Sequence, residues 1–382
     1  MSLFASESEI ASLDGWRALA IAIVFVGHAG LGHIVPGGLG VSLFFFLSGF
    51  LITTLILREY QRSGQIDIRA FYVRRALRIA PPMIIVAVLA YLLVAAGALQ
   101  GGATLTGALA QIFYFANYYT LYFDPGLTTP AGTGVYWSLT VEEHFYLLFP
   151  FLLLMLLRAG QQQRLAGWLS AACLAVLLWR IALVSGFGAS SERIYYATDT
   201  RLDAILFGCT LSCWCWRREK APDLTPPTAA RPGRAAWLLL PGALGLLVLS
   251  LLYRDAWFRD TWRYTVQGIA FAPLFYYSVR HPGWGPFRLL NLGWVKQLGV
   301  YSYVVYLVHH IALENLGVLP HGGPLAHTFA ASLLALVLSL LTAWAMHRYV
   351  ERPLKPLRAR YTQARPAAGA LPQARLQPPS EH

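Results

Sequence analysis

Arg17 and His28 stand near the two ends of 14-DGWRALAIAIVFVGHAG-30, an apolar run of the kind that usually excludes both. Eleven residues of α-helix rise about 16.5 Å in just over three turns, so the two side chains fall about 20° apart on one face. Histidine exchanges protons near neutral pH, and the arginine fork suits phosphate and carboxylate. Singly, Arg17 reads equally as an interfacial anchor and His28 as a hydrogen-bonded packing residue. Sharing one face of an apolar helix, they point to chemistry, because ionisable groups inside such segments are costly and face cavities or partners. Asp14, one turn before Arg17, is a further candidate.

Other clusters share this character. In 40-GVSLFFFLSGFLIT-53, Ser48 and Gly49 provide either close helix packing or backbone room for a ligand. In 69-RAFYVRRALRIAPP-82, Arg75 and Arg78 lie on one face of a short helix expected to end at Pro81. They serve as a topology signal, a lipid contact or a phosphate fork. In 136-YWSLTVEEHFYLLFP-150, Glu142 and Glu143 follow Trp137 and precede Tyr146. The two carboxylates project about 100° apart, so one is expected to face the interior, where a carboxylate can orient a histidine base. In 198-TDTRLDAILFG-208, Asp199, Arg201 and Asp203 are expected to form an internal ion network or to contact a second substrate. In 302-SYVVYLVHHIAL-313, His309 and His310 occupy different faces of one apolar segment, each a candidate for a structural hydrogen bond or for chemistry.

The elements that carry these residues follow from composition. Of 382 residues, 57% are hydrophobic and only 13% charged, about half the charge of a soluble domain. Apolar runs fall near 16–35, 38–57, 82–99, 137–157, 165–184, 202–216, 235–252, 263–279, 298–318 and 327–347. Each approaches the roughly 20 residues that cross a bilayer, and the runs are continuous rather than alternating, which excludes a β-barrel. The expected fold is an all-α, polytopic membrane bundle of about ten transmembrane helices. The aromatic segment 105–123 reads as interfacial or re-entrant. With both termini cytoplasmic, 24 of the 30 Lys and Arg fall on the cytoplasmic side, as the positive-inside rule requires. Arg193, Arg201, Arg254, Arg259 and Arg263 are the five on the other side. The formal charge of +12 is thus topogenic and faces anionic lipid, rather than nucleic acid.

The first 15 residues hold acids and no Lys or Arg, unlike a cleaved signal. The four cysteines, Cys173, Cys209, Cys213 and Cys215, match no zinc spacing and are expected to be buried thiols, with no disulfide and no metal. Residues 1–360 form one membrane domain, 221–234 a flexible linker, and 361–382 a disordered cytoplasmic tail.

Taken in order over residues 13–357, LDGWRALAIAIVFVGHAG, GVSLFFFLSGFLIT, FYVRRALRIAPP, YWSLTVEEHFYLLFP, TDTRLDAILFG, YSYVVYLVHH and ERPLKPL resemble the membrane acyltransferase-3 family. Arg17…His28 matches the family's Arg-x10-His hallmark, Arg75…Arg78 its Arg-x-x-Arg motif, and Glu142/Glu143 its glutamate after WSL-x-V, with Glu143 favoured. Ser42 stands where members often carry Asp, and His310-Ile311 where the sequence often reads WP. Some members append an esterase-like domain, which this chain is expected to lack. The resemblance implies an O-acyltransferase of the bacterial cytoplasmic membrane. The donor would be acyl-CoA, most simply acetyl-CoA, with its phosphates on Arg17, Arg75 and Arg78. The acceptor would be a hydroxyl of an extracytoplasmic or membrane-associated carbohydrate, glycolipid or glycosylated small molecule. His28 would serve as base or as acylated nucleophile, oriented by Glu143. The alternative is a carbohydrate or lipid transporter using the same His, Arg and Glu as a proton relay, although no internal repeat supports it.

Overall fold

A computed structural model describes residues 10–123, 128–219, 232–318 and 325–361. The tail beyond 361 lies outside these residues, as does the expected linker up to 231. The chain begins with α1 (Leu13–Val26), prolonged by a π-helical turn at Gly27–Leu31, then α2 (Gly37–Ser63) and α3 (Ile68–Ala95). Two short helices, α4 (Leu105–Ile112) and α5 (Ala116–Tyr122), precede α6 (Trp137–Arg158) and α7 (Leu165–Phe187). The short α8 (Ser191–Tyr196) leads into α9 (Thr198–Glu219) and α10 (Ala236–Leu252). After α11 (Ala256–Asp260) come α12 (Arg263–Arg280), α13 (Gly293–Asn315), α14 (Leu325–Met346) and α15 (Arg352–Arg360). Among the described residues the only β-contact is an isolated bridge between Gly101 and Pro130.

Each of the ten expected runs corresponds to one long helix. Six stretches meet both the length and the apolarity needed to cross a bilayer: Leu13–Leu31, Gly37–Ser63, Ile68–Ala95, Thr133–Arg158, Gln162–Phe187 and Ala326–Arg360. α10 is apolar but shorter. The remaining long helices carry polar groups inward, Asp203 on α9, Gln267 on α12 and His309 on α13, all of them buried. Large apolar side chains such as Leu148, Leu238 and Phe329 project outward, as expected where lipid replaces water. The protein is an all-α polytopic membrane bundle.

The segment 105–123 divides into helices of 8 and 7 residues. At 1.5 Å per residue neither exceeds about 12 Å, so the segment does not cross as one helix, in keeping with the charge bias. The expected helix end at Pro81 does not occur: α3 runs through Pro81 and Pro82 to Ala95. A proline removes a donor from the helix, but inside a bundle neighbouring side chains make this tolerable. The carbonyls that lose a donor are those of Leu77 and Arg78, four residues before each proline; the Tyr303 hydroxyl donates to the neighbouring Ile79 carbonyl at 2.9 Å.

α9 packs against α2, α7 and α12. Its contact with α2 depends on two glycines. A Cβ on Gly49 would sit 2.0 Å from the Ile205 carbonyl oxygen, and one on Gly208 would sit 2.0 Å from that of Phe46. The two readings of the Ser48-Gly49 pair therefore divide between them: Gly49 lets backbones touch, while Ser48 points into a polar site. At the start of α1, Ser12 adopts a left-handed conformation with φ 65°, unusual for a residue with a Cβ. It is held by Asn291, whose Oδ1 accepts from Ser12 N at 2.9 Å and whose Nδ2 donates to Ser12 Oγ at 2.8 Å.

Candidate active site

His28 sits on the π turn that ends α1. Such turns take one extra residue and recur at functional sites because they re-aim side chains. The partner of His28 is His309 of α13, which is fully buried. His309 Nδ1 lies 2.8 Å from the Tyr306 carbonyl oxygen and 3.2 Å from that of Val305. Carbonyls only accept, so this nitrogen carries the proton. In the neutral ring His309 Nε2 is then a lone pair, and it lies 3.1 Å from His28 Nδ1. His28 Nδ1 must donate to it. The network thus assigns the tautomer and leaves His28 Nε2 as the basic nitrogen. That nitrogen faces the start of α2, where a Cβ on Gly37 would come within 3.7 Å of it.

His310 completes the cluster. Its ring stands edge-on to His28 with centroids 4.6 Å apart, and its Nδ1 is 3.6 Å from Glu314 Oε1. The i, i+4 spacing of His310 and Glu314 was a readable signal, yet Glu314 is absent from the residues singled out by sequence. Among the described residues no group of three or more His, Cys, Asp and Glu is placed to hold a metal.

A second polar cluster joins α2, α3 and α6. Arg75 donates from Nε to Glu143 at 3.0 and 3.1 Å and from Nη2 to Glu143 Oε1 at 2.5 Å. Its Nη2 also lies 3.7 Å from Glu142, and its guanidinium stacks 3.3 Å from the Tyr146 ring centroid. Ser48 Oγ donates to Glu142 at 3.1 Å and is hydrogen-bonded to the Tyr146 hydroxyl. The structure thus brings Ser48, Arg75, Glu142, Glu143 and Tyr146 together. It differs from the expectation that Glu143 orients His28: both oxygens of Glu143 are committed to Arg75, and the ring that orients His28 is His309. Arg78 lies one turn beyond Arg75 on α3. Arg17 pairs with Asp14 at 3.7 Å.

Asp199, Arg201 and Asp203 do not form one network. Residues two apart on a helix point away from each other, and each finds a different partner. Asp203 binds Arg180 of α7 through both oxygens at 2.7 Å, with both side chains fully enclosed. Asp199 accepts from Arg193 and from Trp179 Nε1, each at 2.7 Å. Burial works against the charge on Arg193, but Asp199 outweighs it and the net shift in its pKa is upward. Arg201 makes no ion pair with a carboxylate among the described residues. It donates to Ser42 Oγ at 3.1 Å and stacks on Tyr264 at 3.8 Å, with Tyr195 and Trp137 at 5.3 and 5.5 Å. Its Nε and Nη1 are buried without hydrogen-bond partners. All four cysteines are buried free thiols.

The bundle holds a histidine pair between α1 and α13, His309 buried and His28 half-buried, with one lone pair left open. The kind of protein is fixed by comparison. The sequence profile described as an acyltransferase domain matches residues 10–348, and the chain belongs to that family. It is 29% identical over 357 residues to O-acetyltransferase OatA of Staphylococcus aureus, covering 90% of this chain and 57% of the relative. It is 29% identical over 360 residues to YrhL of Bacillus subtilis, provisionally named a peptidoglycan O-acetyltransferase, covering 91% of this chain and 55% of YrhL. The chain thus spans about half the length of the curated relatives it matches. No solved structure matches it.

Proposed function

We propose that the protein is a membrane O-acyltransferase of the bacterial cytoplasmic membrane. It moves an acetyl group from acetyl-CoA, bound from the cytoplasm, to a hydroxyl of a carbohydrate on the other side. The observation that carries this reading is the free lone pair of His28 Nε2, held by His309 inside a chain of the acyltransferase family. The charge bias supports the orientation, with the arginine-rich 58–78 stretch in the cytoplasm.

In this mechanism His28 Nε2 takes the proton of the acceptor hydroxyl as its oxygen attacks the thioester carbonyl. The C–O bond forms, the C–S bond breaks, and the proton passes from His28 to the departing thiolate. The positive charge on His28 is shared through Nδ1 with His309, which leans on the Tyr306 and Val305 carbonyls. Arg17, Arg75 and Arg78 receive the donor phosphates. Arg75 enters that role pre-positioned, because Glu143 fixes its Nε and Nη2. Nη1, for which no hydrogen bond is found among the described residues, is the group available to a phosphate.

The test is acetyl transfer by the purified chain in proteoliposomes, with labelled acetyl-CoA outside and cell-wall carbohydrate inside. Wild type should consume label only when acceptor is present, and His28→Ala should be inert. Label trapped on the protein without acceptor would assign His28 as an acylated nucleophile rather than a base. Carbohydrate crossing the membrane with acetyl-CoA untouched would overturn the reading in favour of a transporter.

A further inference from the structure

A cavity of about 480 Å³ opens between the turn after α1, the start of α2, α8 and the segment joining α10 to α12. This volume falls in the range of small-molecule sites. Its wall carries three arginines, Arg254, Arg259 and Arg263, against two carboxylates, Glu192 and Asp260. Asp260 is engaged by Ser191 at 2.5 Å, and among the described residues none of the three arginines makes an ion pair. Arg254 donates instead to the His33 carbonyl at 3.0 Å. These three are also among the five cations that break the charge bias along the chain, so the exceptions gather where the cavity is.

The deeper wall is polar and incompletely satisfied. Gln267 lines it, is 3% exposed, and has no partner for Oε1 among the described residues. Arg263 Nε is likewise buried without a partner. Behind Tyr195 and Tyr264, which also line the cavity, lies the guanidinium of Arg201, which makes no ion pair among the described residues. A buried cation outside any ion pair raises the potential for an anion brought nearby. The cavity ends one residue short of the histidine cluster. Gly38 is part of its wall, and the adjacent Gly37 is the residue that faces His28 Nε2.

We propose that this cavity receives the acceptor as an acidic saccharide, one whose carboxylate or phosphate is held by Arg254, Arg259 and Arg263. The tyrosine faces stack on the sugar ring, and a hydroxyl is directed past Gly38 toward His28. The proposal rests on the acyl-transfer reading for the fate of that hydroxyl, but not for the binding itself. Carboxylate and phosphate share the recognising chemistry, and separate probes distinguish them.

The experiment uses the full chain in phosphatidylcholine nanodiscs. Equilibrium dialysis compares a hyaluronan tetrasaccharide, its carboxyl-reduced form and a phosphorylated oligosaccharide, and labelled acetyl-CoA measures transfer in parallel. At least one acidic probe should bind tenfold or more tighter than the neutral one, with the preference shrinking as salt rises. Arg254→Glu with Arg259→Glu should erase the preference, and Arg259→Lys should retain most of it. If the double variant does not fold, Arg259→Gln should still lower the preference severalfold. Equal binding of acidic and neutral probes overturns the proposal, as does displacement of the acidic probe by phosphatidylglycerol at a stoichiometric dose. Acid-selective binding without transfer sustains the proposal and sinks the acyl-transfer reading. Transfer to neutral sugar with no acid preference does the reverse.

Discussion

Replacing His309 tests the central geometry most directly. In the ground state its contact with His28 is a neutral hydrogen bond of 3.1 Å. When His28 takes a proton, the same contact becomes charge-assisted, against a partner that is fully buried. Hydrogen bonds to charged groups contribute roughly 1.5–3 kcal/mol, and the stabilisation exists only once charge has developed. His309→Ala should therefore lower kcat by roughly 13- to 160-fold, since about 1.4 kcal/mol is a factor of ten. KM for acetyl-CoA should stay within about twofold, because binding does not draw on this contact. His309→Gln offers an amide oxygen to His28 Nδ1 and so preserves its tautomer, and it should recover part of the loss. Labelled acetyl transfer in proteoliposomes gives kcat and KM, and thermal unfolding in the same lipid reports folding. A His309→Ala protein that folds, binds donor and keeps kcat within twofold, beside an inert His28→Ala, would refute the relay.

Three further outcomes follow from geometry. Asp203→Ala leaves Arg180 charged and enclosed, at a cost of about 3–5 kcal/mol; denaturant unfolding in bicelles should show this, with Arg180→Leu plus Asp203→Leu milder than Asp203→Ala alone. Gly49→Ala places a methyl 2.0 Å from the Ile205 carbonyl oxygen, so α2 and α9 must separate; the loss should be at least about 1–3 kcal/mol, read by the same unfolding assay. Arg75→Lys keeps the charge but not the fork that meets Glu143, and should raise KM for acetyl-CoA at least about tenfold while leaving the acceptor KM unchanged; a raised acceptor KM instead would remove Arg75 from the donor side.

Much of this architecture was legible because membrane segments are simple to read. Ten apolar runs mark ten long helices, and the scarcity of charge makes His28, Arg75 and the two glutamates stand out. The pairings were not legible. Glu142 and Glu143 are adjacent on one helix, and nothing along the chain says which neighbouring helix each will meet. The helix-end reading at Pro81 failed because a helix packed among others tolerates the donor that a proline removes. A regular helix phase for His28 overlooked the π turn, which periodicity does not reveal. Arg180 is the avoidable omission. A lone cation inside a span already implies a partner, and Asp203 was at hand.

The histidine pair also bears on how the protein is made. Its two rings lie 281 residues apart along the chain, and the Ser12 latch waits on Asn291 for the same reason. During synthesis α1 enters the membrane while α13 is still unmade. Through that interval His28 has no imidazole to receive its proton, and the α1 end has no amide to hold it. The histidine pair therefore comes into being only when α13 packs beside α1, late in assembly.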